Sequence, residues 1–326
     1  MNNFLINIYQ CPICGSDKIE ELYSNIDDKI GRNFKFSVVK CKTCSHAFTN
    51  PLPNTKYVCD YYSDSYYSYN VDIPRFNRRI KFRIKRWLYQ SSHKNLIYRL
   101  ISKLIIRQTA IFPVYKPNGK ILDIGCGNGT FLSFMKDIGW RTFGTEISQK
   151  AVDNALKNGH NVFLGNISDA NYSDEYFDVV TLNNVLEHIP EPVRLLKEIY
   201  RILKPGGELI ICVPNFSSFS RKIFNKYWDA LVIPEHLHHF TSESLKRLAE
   251  VSGFNNIFIK GIFRKILWYN LKAYKKQNKM SAHLIIVYIK TLILMVGSLF
   301  FFPLIFLKIG LNLCLFITLS AHKGEK

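Results

Sequence analysis

Residues 120–146, KILDIGCGNGTFLSFMKDIGWRTFGTE, constrain this chain more than any other stretch. Lys120–Ile124 reads as a buried strand, Gly125, Gly127 and Gly129 as a tight turn, and TFLSFMKDI as a helix with apolar residues at helical spacing. A second short strand at 141–144 runs to an acid, Glu146. Glycines let a backbone approach a ligand closely, and the helix that follows favours negative charge at its N-terminus. An acid at the end of the second strand can hold two ribose hydroxyls. The stretch therefore describes a nucleotide-type pocket, and its spacing selects the ligand. A dinucleotide site wants G-x-G-x-x-G aimed at a pyrophosphate. Here the order is D-x-G-x-G-x-G, and Asp123 just ahead of the turn repels a pyrophosphate but attracts a cation.

At this point the sequence resembles the class I S-adenosylmethionine-dependent methyltransferases. Asp123, Gly125, Gly127 and Gly129 match their first motif, and Glu146 matches their ribose-binding acid. Acids beside the glycine turn suit a ligand carrying an ammonium and a sulfonium. The resemblance implies an α/β fold, a Rossmann-like seven-stranded sheet with helices on both faces. It also implies S-adenosyl-L-methionine as cofactor, held by Asp123, the three glycines, Glu146 and Ile147, with Asn166, Ile167 and Asn183 further along. Asn166 stands where the family usually has an acid or amide beside the adenine amino group.

The pattern continues downstream. A helix is expected at 148–158, a third strand at 162–166 and a fourth at 177–182, followed by Asn183-Asn184-Val185-Leu186-Glu187-His188 at its carboxyl end. Ligands of open α/β sheets bind at that edge. The stretch lacks Asn-Pro-Pro-Tyr, which counts against methylation of exocyclic base amines. A helix at 191–203 ends at Lys204-Pro205-Gly206-Gly207, which launches a fifth strand at 208–213. The aromatic-rich stretch 214–241 closes with PEHLHHFT, and its histidines can offer a near-neutral base. Similar family members carry a histidine followed by aromatic or histidine residues there, which makes His236 the candidate catalytic base. Metal binding by His236, His238 and His239 is disfavoured, because H-x-HH on one loop gives poor tetrahedral geometry.

Residues 11–48 carry a second strong signal. Cys11-Pro-Ile-Cys14 and Cys41-Lys-Thr-Cys44 are two C-x-x-C knuckles with 26 residues between them. Two such turns complete a tetrahedral, structural Zn²⁺ site, and four protein ligands would leave it closed to chemistry. Disulfides are the competing use in an oxidising compartment. The segment CKTCSHAFTNPLPNTKYVCDYYSDSYY is similar to a small zinc-binding module that precedes the methyltransferase domain in bacterial enzymes acting on sugars or surface polysaccharides. That resemblance implies a saccharide acceptor, with the tyrosines at 61–69 either lining a sugar wall or packing the module on the next domain.

The net charge of +19 asks for an anionic partner. Residues 73–122 hold thirteen Lys or Arg and no Asp or Glu, and Phe76, Ile80, Ile84, Trp87 and Leu88 fall on one helical face. Such basic amphipathic helices suit an anionic bilayer, with nucleic acid as the rival partner. After a sixth strand at 254–263 and before a last, antiparallel strand at 312–322 lies an insertion, 282–309. Its residues 291–307 form an uninterrupted run of seventeen uncharged positions, at the short limit of a membrane span. A helical hairpin entering one leaflet, or a buried helix pair, fits it. No N-terminal signal pattern is visible.

Together these features predict three parts: a zinc-binding module at 1–72, a basic helical linker at 73–115 and a methyltransferase domain at 116–326 with the hydrophobic insertion. The expected protein is a cytoplasmic enzyme at the inner membrane that methylates a sugar or lipid-linked saccharide. An RNA methyltransferase and a non-catalytic membrane-associated binding protein are the alternatives.

Overall fold

The computed structural model describes residues 4–27, 34–54, 87, 113–262 and 316–324. The tyrosine run at 61–69, the insertion at 282–309, Cys59 and Cys314 lie outside the described residues. So do the basic helices at 75–107, apart from Trp87, which is helical and 53% exposed. Among the described residues no helix is long and apolar enough to cross a membrane.

The N-terminal strands are β1 (Leu5–Ile6), β2 (Ile19–Asp27), β3 (Lys35–Cys41), β4 (Ala47–Asn50) and β5 (Leu52–Pro53). Next come β6 (Lys120–Ile124), α1 (Thr130–Asp137), β7 (Arg141–Glu146), α2 (Gln149–Lys157), β8 (Asn161–Leu164) and β9 (Phe177–Asn183). The chain continues through α3 (Pro192–Ile202), β10 (Leu203–Pro214), α4 (Phe219–Phe224), β11 (His238–His239), α5 (Ser242–Val251) and β12 (Asn255–Ile262), and ends in β13 (Phe316–His322).

Seven strands form the central sheet in the order β12-β13-β10-β9-β6-β7-β8. All neighbours from β10 to β8 pair in parallel, whereas β13 runs antiparallel to both β10 and β12. Successive side chains on a strand point to opposite faces, and this chain fills both with apolar residues. Ile121, Val179 and Ile210 pack with Met135 of α1 and Trp140 on one face. Their neighbours Leu122, Val180, Leu209 and Ile211 pack on the other with Leu195, Leu196, Ile199 and Ile202 of α3 and Leu245 and Leu248 of α5. Each such fully buried Leu or Ile contributes about 1.5–3 kcal/mol relative to exposure.

β7 runs two residues past its expected end, to Glu146, and β8 and β10 depart from the sequence reading for local reasons. β8 stops at Leu164 because Gly165, at φ 134, turns and donates its N–H to the Glu146 carbonyl at 2.9 Å. β10 starts at Leu203, five residues early, because Leu203 already pairs with Phe177 before an irregularity in register that ends at Glu208. That segment is clamped by the chain's end: Gly206 N–H donates to the Lys323 carbonyl and Lys323 N–H to the Gly207 carbonyl, each at 3.0 Å.

The cysteine-bearing segment folds as a separate antiparallel sheet, ordered β11-β4-β3-β2. Its fourth strand comes from the far side of the sequence: His238 pairs with Phe48 and His239 with Ala47. A buried apolar cluster crosses the same seam, joining Phe36, Val38 and Ala47 to Phe216, Phe224, Trp228 and Leu231. The sheet of the N-terminal segment and the loop at 214–241 are thus one packed unit.

Candidate active site

Asp123 closes β6 at the carboxyl edge of the sheet and is 3% exposed. Its Oδ1 accepts the Thr181 hydroxyl at 2.6 Å and the Asn183 amide at 3.3 Å, both from the adjacent β9. Burial pushes the Asp123 carboxyl up to about 7; the two hydrogen bonds oppose that rise and the Glu146 charge adds to it. A half-neutral acid in such a place gains from a cationic ligand, which restores its charge.

Glu146 ends the neighbouring strand β7, and its carboxylate organises the turn. Oε2 accepts the Gly127 N–H at 2.9 Å, while Oε1 accepts the N–H of Ile147 at 2.8 Å and of Ser148 at 3.0 Å. Three amides from two loops therefore fix this carboxylate without help from a ligand. A carboxylate offers about four acceptor sites, so capacity for a ligand hydroxyl remains. Gly125 and Cys126 both donate to the Thr145 carbonyl, at 2.8 and 3.1 Å, which ties the turn to the end of β7.

The glycines meet two demands at once. Gly125, Gly127 and Gly129 have φ of 66, 54 and 77°, which L side chains rarely adopt. A Cβ on Gly125 would lie 2.6 Å from Val185 Cγ2, in the loop after β9. A Cβ on Gly129 would lie 2.8 Å from His160 Cδ2.

The remaining positions expected around the cofactor sit along the same edge. Ile147 is 52% exposed beyond Glu146. Asn166 is exposed and Ile167 is 4% exposed on the turn after β8, where the Asn166 and Ile167 carbonyls accept the N–H groups of Asp169 and Ala170. Asn183 reaches the site through its bond to Asp123.

The three histidines of PEHLHHFT part company. His238 stacks toward His46, with His46 Nε2 and His238 Nδ1 3.0 Å apart. His239 lies 3.2 Å through Nε2 from the Thr49 hydroxyl, which itself donates to the His236 carbonyl at 2.8 Å, so His239 is the donor. Burial pulls His238 down to about 4 and His239 to about 3, and it lowers His46 as well. These three are neutral core imidazoles. His236 takes a different neighbour, its ring meeting that of His188 edge-on at 4.7 Å. His236 Nδ1 donates to the Ala230 carbonyl and His188 Nδ1 to the Glu235 carbonyl, each at 2.9 Å. Both rings are thereby set with Nε2 as the acceptor nitrogen.

Sequence reasoning did not single out Thr181, which bonds Asp123, Thr49, which bonds the His236 carbonyl, or Glu187, which lies beside His188 and His236. Glu187 is 1% exposed, and burial pushes its carboxyl up to about 8. The Glu187-His188 pair was visible as text, but nothing in the spacing tied it to His236, which only the fold brings alongside.

The two knuckles have the same backbone design. The fifth residue of each, Gly15 and Ser45, has positive φ and donates its N–H to the first cysteine's carbonyl, Cys11 at 2.9 Å and Cys41 at 3.0 Å. Cys11 and Cys44 sulfurs are 3.5 Å apart and those of Cys14 and Cys41 3.6 Å, far beyond a disulfide bond of about 2.05 Å. All four lie within 4.8 Å of one another, a separation and donor set that fit one tetrahedral zinc ion.

Comparison with known proteins supplies the remaining evidence. A family model described as a methyltransferase domain matches residues 93–258. A ubiquinone biosynthesis O-methyltransferase of Thiobacillus denitrificans is 27% identical over 156 residues, which cover 44% of this chain and 67% of the relative. A probable S-adenosylmethionine-dependent methyltransferase of Mycolicibacterium smegmatis is 27% identical over 145 residues, covering 44% of this chain and 54% of the relative. Among solved structures, a SAM-dependent methyltransferase from Archaeoglobus fulgidus aligns at 20% identity and a TM-score of 0.46, covering 73% of this chain and 99% of that one.

Proposed function

The chain belongs to the methyltransferase domain family as an S-adenosylmethionine-dependent methyltransferase, and from that premise we propose that it methylates a hydroxyl of a sugar or lipid-linked saccharide. The observation that supports this reading is the placement of the Asp123 and Glu146 carboxylates around the glycine turn, with Gly125 against Val185 of the loop that leads to His188, whose ring meets that of His236. S-adenosylmethionine, when bound, supplies an electrophilic methyl carbon on a sulfonium. Asp123 balances its positive charge, and Glu146 accepts from its ribose hydroxyls. His236 would take the acceptor's proton on Nε2 as the acceptor oxygen bonds to the methyl carbon and the carbon–sulfur bond breaks, with S-adenosylhomocysteine as the leaving group. Proton removal of this kind contributes about 10²–10⁴-fold, and alignment of the reacting atoms supplies more.

Oxygen is chosen as the acceptor atom because relatives are named O-methyltransferases. A saccharide is chosen because the segment at 11–69 resembles the zinc module of sugar-modifying enzymes. The four thiolates hold one structural zinc in this reading, and the basic stretch at 75–107 with the apolar insertion at 282–309 brings the enzyme to an anionic membrane surface. The test is label transfer from radioactive S-adenosylmethionine into three pools: lipid-linked saccharide, soluble sugar nucleotide and total RNA. Label in either saccharide pool is expected. Label confined to RNA, or in none of the three, overturns the assignment.

A further inference from the structure

We propose that Glu187, His188 and His236 form a binding site for a divalent transition-metal cation, separate from the four-cysteine cluster. One ligand atom from each residue lies within 4.8 Å of the others. Glu187 follows β9, and His236 belongs to the loop before β11. The two segments are stitched by the Leu237 N–H, which donates to the Glu187 carbonyl at 2.8 Å.

Glu187 gives the strongest reason to expect a cation. The residue is 1% exposed, and among the described residues neither carboxylate oxygen has a hydrogen-bond partner. A buried carboxyl with both oxygens unpartnered is costly, and a coordinated cation removes that cost. The imidazoles supply the second reason. His188 and His236 each anchor Nδ1–H on a backbone carbonyl at 2.9 Å, from Glu235 and Ala230. Metal-binding histidines are held in this way, because the anchor fixes the tautomer and aims the Nε2 lone pair. The two rings meet edge-on at 4.7 Å.

The donor set selects the ion. Two imidazole nitrogens and one carboxylate suit Zn²⁺, Co²⁺, Ni²⁺ or Fe²⁺, whereas Mg²⁺ and Ca²⁺ prefer oxygen throughout. Three protein ligands leave positions for water or for a hydroxyl of the acceptor. A cation in this site takes the Nε2 lone pair of His236. This consequence rests on the reading of His236 as base: loading then withdraws the base and lowers methyl transfer.

Co²⁺ is the probe, because its spectrum separates the two sites. Thiolate-bound Co²⁺ shows strong near-ultraviolet charge transfer, and the nitrogen–oxygen site does not. Zinc-loaded full-length protein titrated with Co²⁺ should take up about one further equivalent without charge transfer, by equilibrium dialysis and absorption. Glu187→Gln and His188→Gln should each weaken that uptake by at least about tenfold, while zinc content and S-adenosylhomocysteine affinity stay at wild-type values as the check on folding. No uptake beyond the cysteine cluster, or wild-type uptake by a folded Glu187→Gln protein, overturns the site. Methyl transfer should fall as Co²⁺ loads and return when it is dialysed away. A rise instead overturns the His236 base while the binding data still establish the cation site.

Discussion

The Thr49 hydroxyl donates to the His236 carbonyl at 2.8 Å, joining residues 187 positions apart. Thr49 N–H donates to the Leu237 carbonyl at 2.9 Å, so β4 holds the histidine's backbone from both sides. Through this edge the cysteine-bearing sheet reaches the loop that carries His236. Thr49→Val keeps the shape but removes the hydroxyl, leaving the His236 carbonyl and the His239 Nε2–H without it in a buried place. The cost should be about 1–3 kcal/mol of stability. Turnover should fall several-fold with cofactor affinity unchanged, and Thr49→Ser should restore it. Equal turnover in the Val variant, with stability corrected for, would show that β4 does not position His236.

Asp123 sets a pH dependence on cofactor binding. Its carboxyl is raised to about 7 by burial, so near pH 6 it is mostly neutral in the free protein. A cationic cofactor favours the ionised form. Affinity for S-adenosylmethionine should therefore tighten as pH rises from 6 to 8 and level off above. The stability sign is opposite: the folded state holds this proton between about pH 4 and 7 where the unfolded chain has lost it, so the acid's contribution fades as pH rises through that window. Asp123→Asn should flatten both profiles. Calorimetric titration at four pH values checks the first, and thermal unfolding across the same range the second.

The fold was legible because strand and helix signals agreed with the family pattern. Lys120–Ile124 and the helix with Ser148 and Asn158 as its flanking caps appear where their residues predict them. The glycine turn, Asp123 and Glu146 were legible for the same reason: their chemistry is local and fits within 27 residues. What could not be read was contact across the chain. The three histidines at 236–239 looked like one group, yet alternation along β11 and the bend before it send each to a different partner. The partners themselves, His46, Thr49 and Glu187, lie between 49 and 192 positions away, and no periodicity encodes such separations.

Gly125 allows a steric test of the turn. Alanine there must adopt φ near 66° and place its Cβ 2.6 Å from Val185 Cγ2. The left-handed conformation costs about 1–2 kcal/mol, and the overlap adds to it. Gly125→Ala should weaken cofactor binding by shifting the turn, and Val185→Ala in the same chain should recover part of the loss. A double-mutant cycle on S-adenosylhomocysteine affinity measures the coupling. Strict additivity would show that the clash with Val185 is not what disturbs the turn.

The four cysteine sulfurs predict about one zinc per purified chain and a zinc-dependent seam. Cys11, Ile13 and Cys41 belong to the same buried cluster as α3 and α5, so loss of the metal should be felt beyond the knuckles. Cys41→Ser should lose the zinc and lower the melting temperature. It should also reduce turnover, because β4 loses its support while β11 and His236 depend on it. Elemental analysis and thermal unfolding of the same sample decide this. A variant that keeps full stability and activity without metal would separate the knuckles from the loop that carries His236.

Membrane attachment is predicted from two stretches that act differently. The residues at 75–107 supply eleven basic side chains, each contributing about 1 kcal/mol near anionic headgroups, an attraction that salt screens. The insertion at 282–309 carries only Lys290 and Lys308 as charges and supplies apolar area, which salt does not weaken. Stable peripheral binding takes two such signals. Full-length protein should therefore float with anionic vesicles at low salt and fail to float with neutral ones. It should be released only in part at about 1 M salt, where the Debye length is about 3 Å. Complete release would leave the basic stretch as the sole contact and place the insertion inside the protein. No flotation at low salt would remove the membrane altogether and direct the positive charge toward a soluble anionic partner.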